Sequence, residues 1–169
     1  MIDPKTLPIG AAMPRVKLKE QPTYEFSHEV SVRVTDLNYG AHLANNALVG
    51  MISEARAQLF HNLGCSEVDL GDQRTGIIMG DLVVNFKAES LLFDTLQIDS
   101  HLGEVNRKSF RIFHRFTRNK QLVALAETGI VTFDYGERRS TPIPKTFLRT
   151  LAHWVGSPHT DQMNKNCTI

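Results

Sequence analysis

A ten-residue stretch of the chain concentrates side chains that are suited to acid–base chemistry. It reads Asp36-Leu37-Asn38-Tyr39-Gly40-Ala41-His42-Leu43-Ala44-Asn45. The carboxylate of Asp36 can act as a base or orient the imidazole of His42, and His42 can itself be a general acid or base. A structural interpretation competes with the catalytic one, because Asp and Asn side chains also bind backbone amides in turns. The sequence alone leaves both interpretations open for Asp36 and Asn38.

This stretch lies between a predicted strand and a predicted helix. Apolar and polar residues alternate from Phe26 to Val34, which predicts a strand. After the stretch, apolar residues recur every three or four positions, which predicts a helix of about 18 to 20 residues. Asn45 or Asn46 can cap the start of this helix, and Gly64 stands where a helix stops.

The rest of the chain predicts one domain with a sheet that covers the helix. Residues 1–22 are rich in proline and predict an extended N-terminal arm, 23–155 form the domain, and the polar residues 156–169 predict a flexible tail. A strand, a long helix and then four strands predict an α+β domain with a mostly antiparallel sheet. A short helix is predicted from Lys145 to Trp154. The four later strands are predicted at Gly76 to Glu89, Asp94 to Val105, Ser109 to Arg118 and Gln121 to Tyr135.

Composition excludes several classes of function. The 169 residues are 41% hydrophobic, which is enough for a single core. The 19 basic and 18 acidic residues nearly cancel, so the net charge gives no indication of nucleic-acid binding. The two cysteines, Cys65 and Cys167, form no disulfide framework or metal-ligand spacing, so no metal or cofactor is expected. With no signal-peptide or membrane-span pattern, we expect a soluble, cytoplasmic protein that does not act at a membrane.

The ten-residue stretch from Asp36 to Asn45 resembles a signature of 4-hydroxybenzoyl-CoA thioesterase-like hot-dog proteins. In that family, a strand ends in an acidic loop, and Gly-His and an Asn follow at the start of the central helix. Three later segments also resemble the family in the right order: Ser53 to Arg56, Phe86 to Glu89, and Ala126 to Asp134. The resemblance implies a hot-dog fold, in which a five-stranded, mostly antiparallel sheet wraps one long central helix.

Two positions depart from the family pattern. Asn38 stands where the family often has a second acidic residue, and Ala41 separates Gly40 from His42. An Asp-x-Asn pattern with a nearby His is also similar to the loop of acyl-carrier-protein thioesterases. An asparagine at position 38 is therefore compatible with hydrolysis.

The resemblance implies an acyl-thioester hydrolase in which water attacks the thioester carbonyl. The unpaired amides at the start of the helix can hold the oxyanion that develops. Glu54 lies at the border of the apolar stripe, where it can reach a dimer cleft. Asp81 shares a predicted strand face with the apolar residues Ile77, Met79 and Val83, so its carboxylate needs a partner. Gly40 is expected to supply a positive φ. The expected catalytic residues are Asp36, Asn38, His42 and Glu54, and the expected substrate-binding residues are Tyr39, Gly40, Asn45 and Asp81.

The resemblance also implies partners, and two alternatives to hydrolysis remain open. The expected substrate is acyl-CoA or an acyl-carrier protein, and the strand after the helix is expected to pair two copies into a homodimer or a dimer of dimers. A non-catalytic acyl-thioester binder is an alternative, motivated by Asn38. An enoyl-thioester hydratase is another, because the spacing of Asp36 and His42 allows it, although the Asn-Pro usual beside a hydratase His is missing.

Overall fold

The computed structural model describes residues 16–155. The elements follow the predicted order, with a short 3-10 turn at Val34–Asp36 after the first strand. Residues 1–15 of the expected arm and the whole expected tail, 156–169, lie outside the described residues. The helices and strands are β1 (Phe26–Ser31), α1 (Asn45–Asn62), β2 (Thr75–Phe86), β3 (Thr95–Val105), β4 (Ser109–Arg118), β5 (Gln121–Asp134), β6 (Arg139–Ser140) and α2 (Lys145–Val155).

The strands form one antiparallel sheet in the order β1-β3-β4-β5-β2, and the two-residue strand β6 adds to β5. The five predicted strands are therefore confirmed, with β6 as an addition. Within residues 16–155, β1 and β2 are the two edges of the five-strand path. Beyond Ile77, whose N–H and carbonyl are bonded to Glu67 and Tyr135, the edge position of β2 leaves one side of its backbone open to another strand.

Helix α1 buries its apolar stripe against the sheet along two clusters. Around its first half, Leu48 and Ile52 pack with Leu96, Ile98 and residues of β4 and β5. Around its second half, the clustered residues include Leu59, Phe60, Ile77, Phe110 and Phe147. Each fully buried side chain of this size contributes about 1.5–3 kcal/mol. This helix-in-sheet packing confirms the hot-dog arrangement.

Strand β1 ends earlier than its alternating pattern predicts. It stops at Ser31, and Val34 lies exposed in the 3-10 turn. The carboxylate of Asp36 accepts the backbone N–H of Arg33 at 2.8 Å and closes this turn. The strand prediction was thus wrong for its last residues, because a side-chain bond to the backbone replaced the ladder.

A β-bulge at Gly80 changes the face on which Asp81 lies. The register with β5 shifts between Met79 and Asp81. Met79 approaches Arg56 of α1 before the bulge, and Leu82 packs against the helix-side cluster after it. Asp81 therefore points to the opposite, outer face of the sheet, and the expectation that it shares a face with Ile77 and Met79 was wrong.

The described part of the expected arm lies against β2. The amide side chain of Asn85 accepts from the N–H of Leu18 at 2.9 Å and donates to the carbonyl of Val16 at 3.0 Å. Glu20 adds an ion pair with Arg115 at 3.1 Å. These bonds hold residues 16–20 on the sheet without making them a strand.

Candidate active site

The loop before α1 folds back on itself. Leu37 and Leu43 form an isolated β-bridge, and the N–H of Asn38 donates to the carbonyl of His42 at 3.0 Å. Ala41 takes the left-handed conformation, with φ 61°. The expectation that Gly40 supplies a positive φ was therefore wrong. Gly40 is needed for space instead, since a Cβ there would stand 2.9 Å from Cε1 of His42.

Three hydrogen bonds fix the side chains of Asn38 and His42. The N–H of Gly40 donates to Oδ1 of Asn38 at 2.8 Å, so the Nδ2 group of Asn38 faces His42. Nδ2 donates to Nε2 of His42 at 3.0 Å. Nδ1 of His42 then carries the proton and donates to the carbonyl of Gly40 at 3.2 Å. This network assigns a neutral imidazole with both nitrogens occupied.

Asp36 lies beside the start of α1, with one carboxylate oxygen engaged. Its Oδ2 accepts from the backbone and, at 3.4 Å, from Nε of Arg33. Its own carbonyl accepts the N–H of Ala44 at 2.8 Å, which places it at the helix start. The residue is only 9% exposed. Among the described residues, no donor is bonded to Oδ1 of Asp36, and no bond joins Asp36 to His42.

The first turn of α1 has no side-chain cap. Ala44 precedes the first helical residue and cannot cap, and Asn45 is already helical. The expectation of a cap by Asn45 or Asn46 was wrong. The N–H groups of Leu43 and Ala44 bond to backbone carbonyls, but no side chain in residues 16–155 caps the N–H groups that follow. These groups stay at the positive end of the helix.

A cleft of about 290 Å³ opens between the helix start and the loop after β2. Its polar wall includes His42, Asn45 and Ser90, and its apolar wall includes Leu48 and Val123. The isolated bridge between His42 and Leu91 joins the two loops at the cleft. The complete lining is His42, Leu43, Asn45, Leu48, Phe86, Lys87, Ala88, Glu89, Ser90 and Val123.

Among the predicted site residues, His42 and Asn45 line this cleft, whereas Asp36, Asn38 and Gly40 belong to the adjoining loop and do not line it. Tyr39 is fully exposed at the tip of the loop. Glu54 lies nine residues beyond Asn45, about 13 Å along the helix, and its charge acts on His28 of β1. Asp81 forms a two-point ion pair with Arg111 on the outer face, both bonds being 2.8 Å. The structure thus groups Asp36, Asn38, His42 and Asn45, and separates Glu54 and Asp81 from them.

The loop after β2 contributes residues that the sequence reasoning missed. Lys87 and Ser90 line the cleft, and the carbonyl of Ser90 accepts the N–H of Leu43 at 2.8 Å. The sequence pattern predicts that the strand continues to Glu89, but β2 ends at Phe86. The change from apolar to polar residues after Phe86 is the signal that could have indicated a loop.

A buried polar group lies under α1, between the two apolar clusters. Nδ1 of His114 lies 2.9 Å from Oγ of Ser100 on the neighbouring strand. Burial, reinforced by the nearby Arg56 cation, lowers the pKa of His114 to about 3. Burial also lowers the pKa of His28, against the opposing charge of Glu54. Both histidines are therefore neutral near pH 7, His114 as a buried core residue and His28 as a half-buried one.

Residues 16–155 show neither a cluster of metal ligands nor a membrane-spanning helix. No group of three or more His, Cys, Asp or Glu side chains stands close enough to hold a metal ion. No helix in this part of the chain is long and apolar enough to cross a membrane.

The comparisons with known proteins settle the family. A model of the thioesterase-like superfamily matches residues 32–151, more than half of the chain. The chain belongs to the thioesterase-like superfamily. This membership confirms the resemblance found in the sequence and the expected thioesterase class. No curated protein sequence matches the chain.

Several solved structures share the fold of this chain at low sequence identity. The 1,4-dihydroxy-2-naphthoyl-CoA thioesterase from Synechocystis is 18% identical with a TM-score of 0.68, covering 75% of this chain and 95% of its own. Gentisyl-coenzyme A thioesterase is 21% identical with a TM-score of 0.67, covering 74% and 98%. A Staphylococcus aureus protein in complex with CoA is 16% identical with a TM-score of 0.71, covering 82% and 89%.

Proposed function

We propose that the chain hydrolyses acyl-CoA thioesters in the cleft at the start of α1. The observation that carries this proposal is a carboxylate with one unbonded oxygen, Oδ1 of Asp36, beside the uncapped helix start at which the cleft opens. Hydrolysis of a thioester needs a group that activates water and donors for the oxyanion. Both are present within a few residues of one another.

The helix start supplies the electrostatic half of the reaction. The N–H groups of the first turn of α1 lack a side-chain cap among the described residues, and Asn45 of this turn lines the cleft. A thioester carbonyl that lies against this turn accepts their hydrogen bonds. Because negative charge grows on the carbonyl oxygen during attack, these bonds stabilise the transition state more than the substrate.

Asp36 supplies the proton transfer. Oδ1 of Asp36 takes a proton from water as the water oxygen bonds to the thioester carbon. When the tetrahedral intermediate collapses, the carbon–sulfur bond breaks, and the proton held by Asp36 passes to the leaving thiolate. The products are a carboxylic acid and free CoA, and the carboxylate of Asp36 is regenerated.

His42 and Asn38 position this site rather than move protons. Both nitrogens of His42 are occupied, by Asn38 and by the carbonyl of Gly40. A base needs a free lone pair, and the lone pair of Nε2 accepts from Asn38. Their network fixes the loop that connects Asp36 to the helix. Glu54 is not part of this proposal, because it lies near His28, about 13 Å along the helix from Asn45.

The cleft suits the thiol arm and phosphates of CoA. Phe86, Ala88 and Val123 line it with apolar surface, and Lys87 is exposed beside them. Among residues 16–155, no carboxylate pairs with Lys87, so its ammonium group is available to a phosphate. The named substrates of two structural neighbours are CoA esters of aromatic acids. Aromatic acyl-CoAs are therefore the first substrates to test.

The open edge of β2 is proposed to pair two copies of the chain. This strand has 12 residues and carries the exposed apolar side chains Ile78 and Met79. Pairing would satisfy the open backbone groups and cover these side chains. Light scattering should report a dimer or a dimer of dimers. Ile78→Lys should shift the mass towards the monomer, whereas Val105→Lys, an equally exposed change on β3, should not.

Release of free thiol from a panel of acyl-CoAs tests the function. The panel should contain aromatic, short and long acyl groups, and an acyl-carrier protein should be assayed beside it. Turnover of any CoA ester supports the proposal, and turnover of the carrier-protein ester alone moves the substrate to that class. No thiol release by folded protein contradicts it.

Binding without hydrolysis is the second candidate function. It is favoured by the saturated hydrogen bonding of His42, which leaves no imidazole base. Recovery of intact acyl-CoA bound to the protein would support it. Incubation with a crotonyl thioester distinguishes a hydratase from a hydrolase. A hydratase lowers the absorbance of the enoyl group without releasing thiol, whereas a hydrolase releases thiol.

A further inference from the structure

Ser90 is held between the residues that build the cleft. Its carbonyl accepts the N–H of Leu43, the second residue before α1, at 2.8 Å. The next residue, Leu91, forms a bridge with His42. Ser90 itself lines the cleft together with Leu43 and Asn45. The backbone of this serine is therefore tied to the place where the proposed oxyanion donors begin.

The hydroxyl of Ser90 differs from the other buried hydroxyls of the described chain. Ser90 is 1% exposed, and its Oγ has no hydrogen-bond partner among residues 16–155. Buried hydroxyls are normally bonded, because an unmade hydrogen bond costs free energy. The remaining buried Ser and Thr residues all have a bonded hydroxyl: Thr75, Ser100, Thr128 and Thr132.

We propose that Ser90 is a further catalytic residue of this site, whose hydroxyl donates a hydrogen bond to the thioester group when an acyl-CoA fills the cleft. This inference rests on the proposed function. Ser90 lines the cleft beside the first turn of α1, so rotation about its Cα–Cβ bond turns the hydroxyl towards a carbonyl bound there. The bond supplements the helix amides as the oxyanion develops.

Ser90 acts as a donor and not as a nucleophile. An activated serine needs a base within hydrogen-bond reach. Oγ of Ser90 has no such partner among the described residues, and the ring nitrogens of His42 are bonded to Asn38 and Gly40. No covalent bond to Ser90 forms in the proposed role, and water remains the attacking group.

The substitution Ser90→Ala separates catalysis from stability. It deletes an unbonded buried hydroxyl, so the Tm should stay the same or rise. It also deletes a donor to the transition state, so kcat should fall about 100-fold, as for the loss of one oxyanion donor. Binding of free CoA, which has no thioester carbonyl, should not change. Ser90→Cys, with a similar shape and a weaker donor, should give an intermediate kcat.

Ser100→Ala is the matched control. Its hydroxyl is buried and bonded to His114, so its loss should lower the Tm and leave kcat unchanged. A fall in kcat for Ser90→Ala with an unchanged or higher Tm supports the inference. Unchanged kcat, or kcat and Tm that fall together, overturns it while the proposed function stands. Absence of thiol release by the wild-type chain overturns both.

Discussion

Nδ2 of Asn38 lies 3.0 Å from Nε2 of His42 and donates to it. The orientation of the amide follows from the N–H of Gly40, which occupies Oδ1 at 2.8 Å. A carboxylate at position 38 has no N–H to donate. Asparagine, at the position where the resembled family often has an acid, thus supplies a hydrogen-bond donor that a carboxylate would lack.

The substitution Asn38→Asp should change the protonation of His42. The new carboxylate would face Nε2 and favour a proton there, while the carbonyl of Gly40 continues to accept from Nδ1. Both nitrogens would then carry protons, and the imidazolium would be favoured. Nitrogen-15 chemical shifts of the ring at pH 7 report this directly. The wild-type chain should show one protonated and one bare nitrogen, and Asn38→Asp should show two protonated nitrogens.

Two results would contradict the Asn38–His42 network. One is a wild-type ring whose bare nitrogen is Nδ1, since the carbonyl of Gly40 could not then accept from it. The other is Asn38→Leu with unchanged ring shifts, which would mean that position 38 does not contact the imidazole. His61→Gln, at an exposed site on α1, is the control that assigns the signals.

The substitution Asp36→Asn should lower kcat by about 100-fold or more, because it removes the proposed proton acceptor. An amide oxygen can still accept from the N–H of Arg33, which keeps the turn closed. The Tm should therefore change little. Glu104→Gln, an exposed acid on β3, should retain full activity. Measurement of thiol release and Tm for both variants checks this. Retained kcat in folded Asp36→Asn would exclude Asp36 as the base.

Protonation of His114 should make stability fall in acid. Burial, with help from the Arg56 cation, lowers the pKa of this imidazole from 6.5 to about 3. Between these values the unfolded chain binds a proton that the folded chain does not bind. The contribution of His114 to the free energy of unfolding is therefore greatest above pH 6.5 and should fall by about 1 kcal/mol per pH unit below it. Denaturant unfolding from pH 7 to pH 4 measures this slope.

The substitution His114→Gln isolates that contribution. Glutamine does not titrate and can still bond to Ser100, so the acid slope should be shallower than in the wild-type chain. His61→Gln should keep the wild-type slope, because His61 is exposed. Equal slopes for His114→Gln and the wild-type chain would show that His114 is protonated in the folded state.

Periodicity predicted the helix and the strands because burial imposes it directly. The predicted helix start and stop agree closely with α1, Asn45–Asn62, and the order of strands is confirmed. Periodicity failed where one hydrogen bond or one inserted residue determines the backbone conformation. The carboxylate of Asp36 ends β1 early, and the bulge at Gly80 turns Asp81 outward. Neither event changes the spacing of apolar residues enough to be seen.

The candidate site was predictable only in its local part. Asp36, Asn38 and His42 stand close in sequence, so one loop had to bring them together. Ser90 is distant in sequence and joins the site through a backbone bond to Leu43. Such cross-loop contacts depend on strand register and loop path, which composition and spacing do not encode. Glu54 was placed by a helical wheel, which cannot tell which edge of the sheet a helix face meets.

Gly129 keeps open the space in which Arg111 reaches Asp81. The three residues lie on neighbouring strands, with Gly129 of β5 between Asp81 of β2 and Arg111 of β4. A Cβ on Gly129 would overlap both Asp81 and Arg111. The ion pair crosses β5 and ties β2 to β4 just after the bulge of β2, and the bond from Arg111 lowers the pKa of Asp81.

The substitution Gly129→Ala should therefore destabilise the fold by about 1–3 kcal/mol, the usual cost of overpacking. Most of this cost should disappear in the Asp81→Ala background, because one of the two overlapping groups is then gone. A double-mutant cycle of unfolding free energies measures the difference. An equal cost in both backgrounds would mean that Gly129 is required by the strand itself. A smaller cost with Asp81 removed means that glycine is retained so that the ion pair can cross β5.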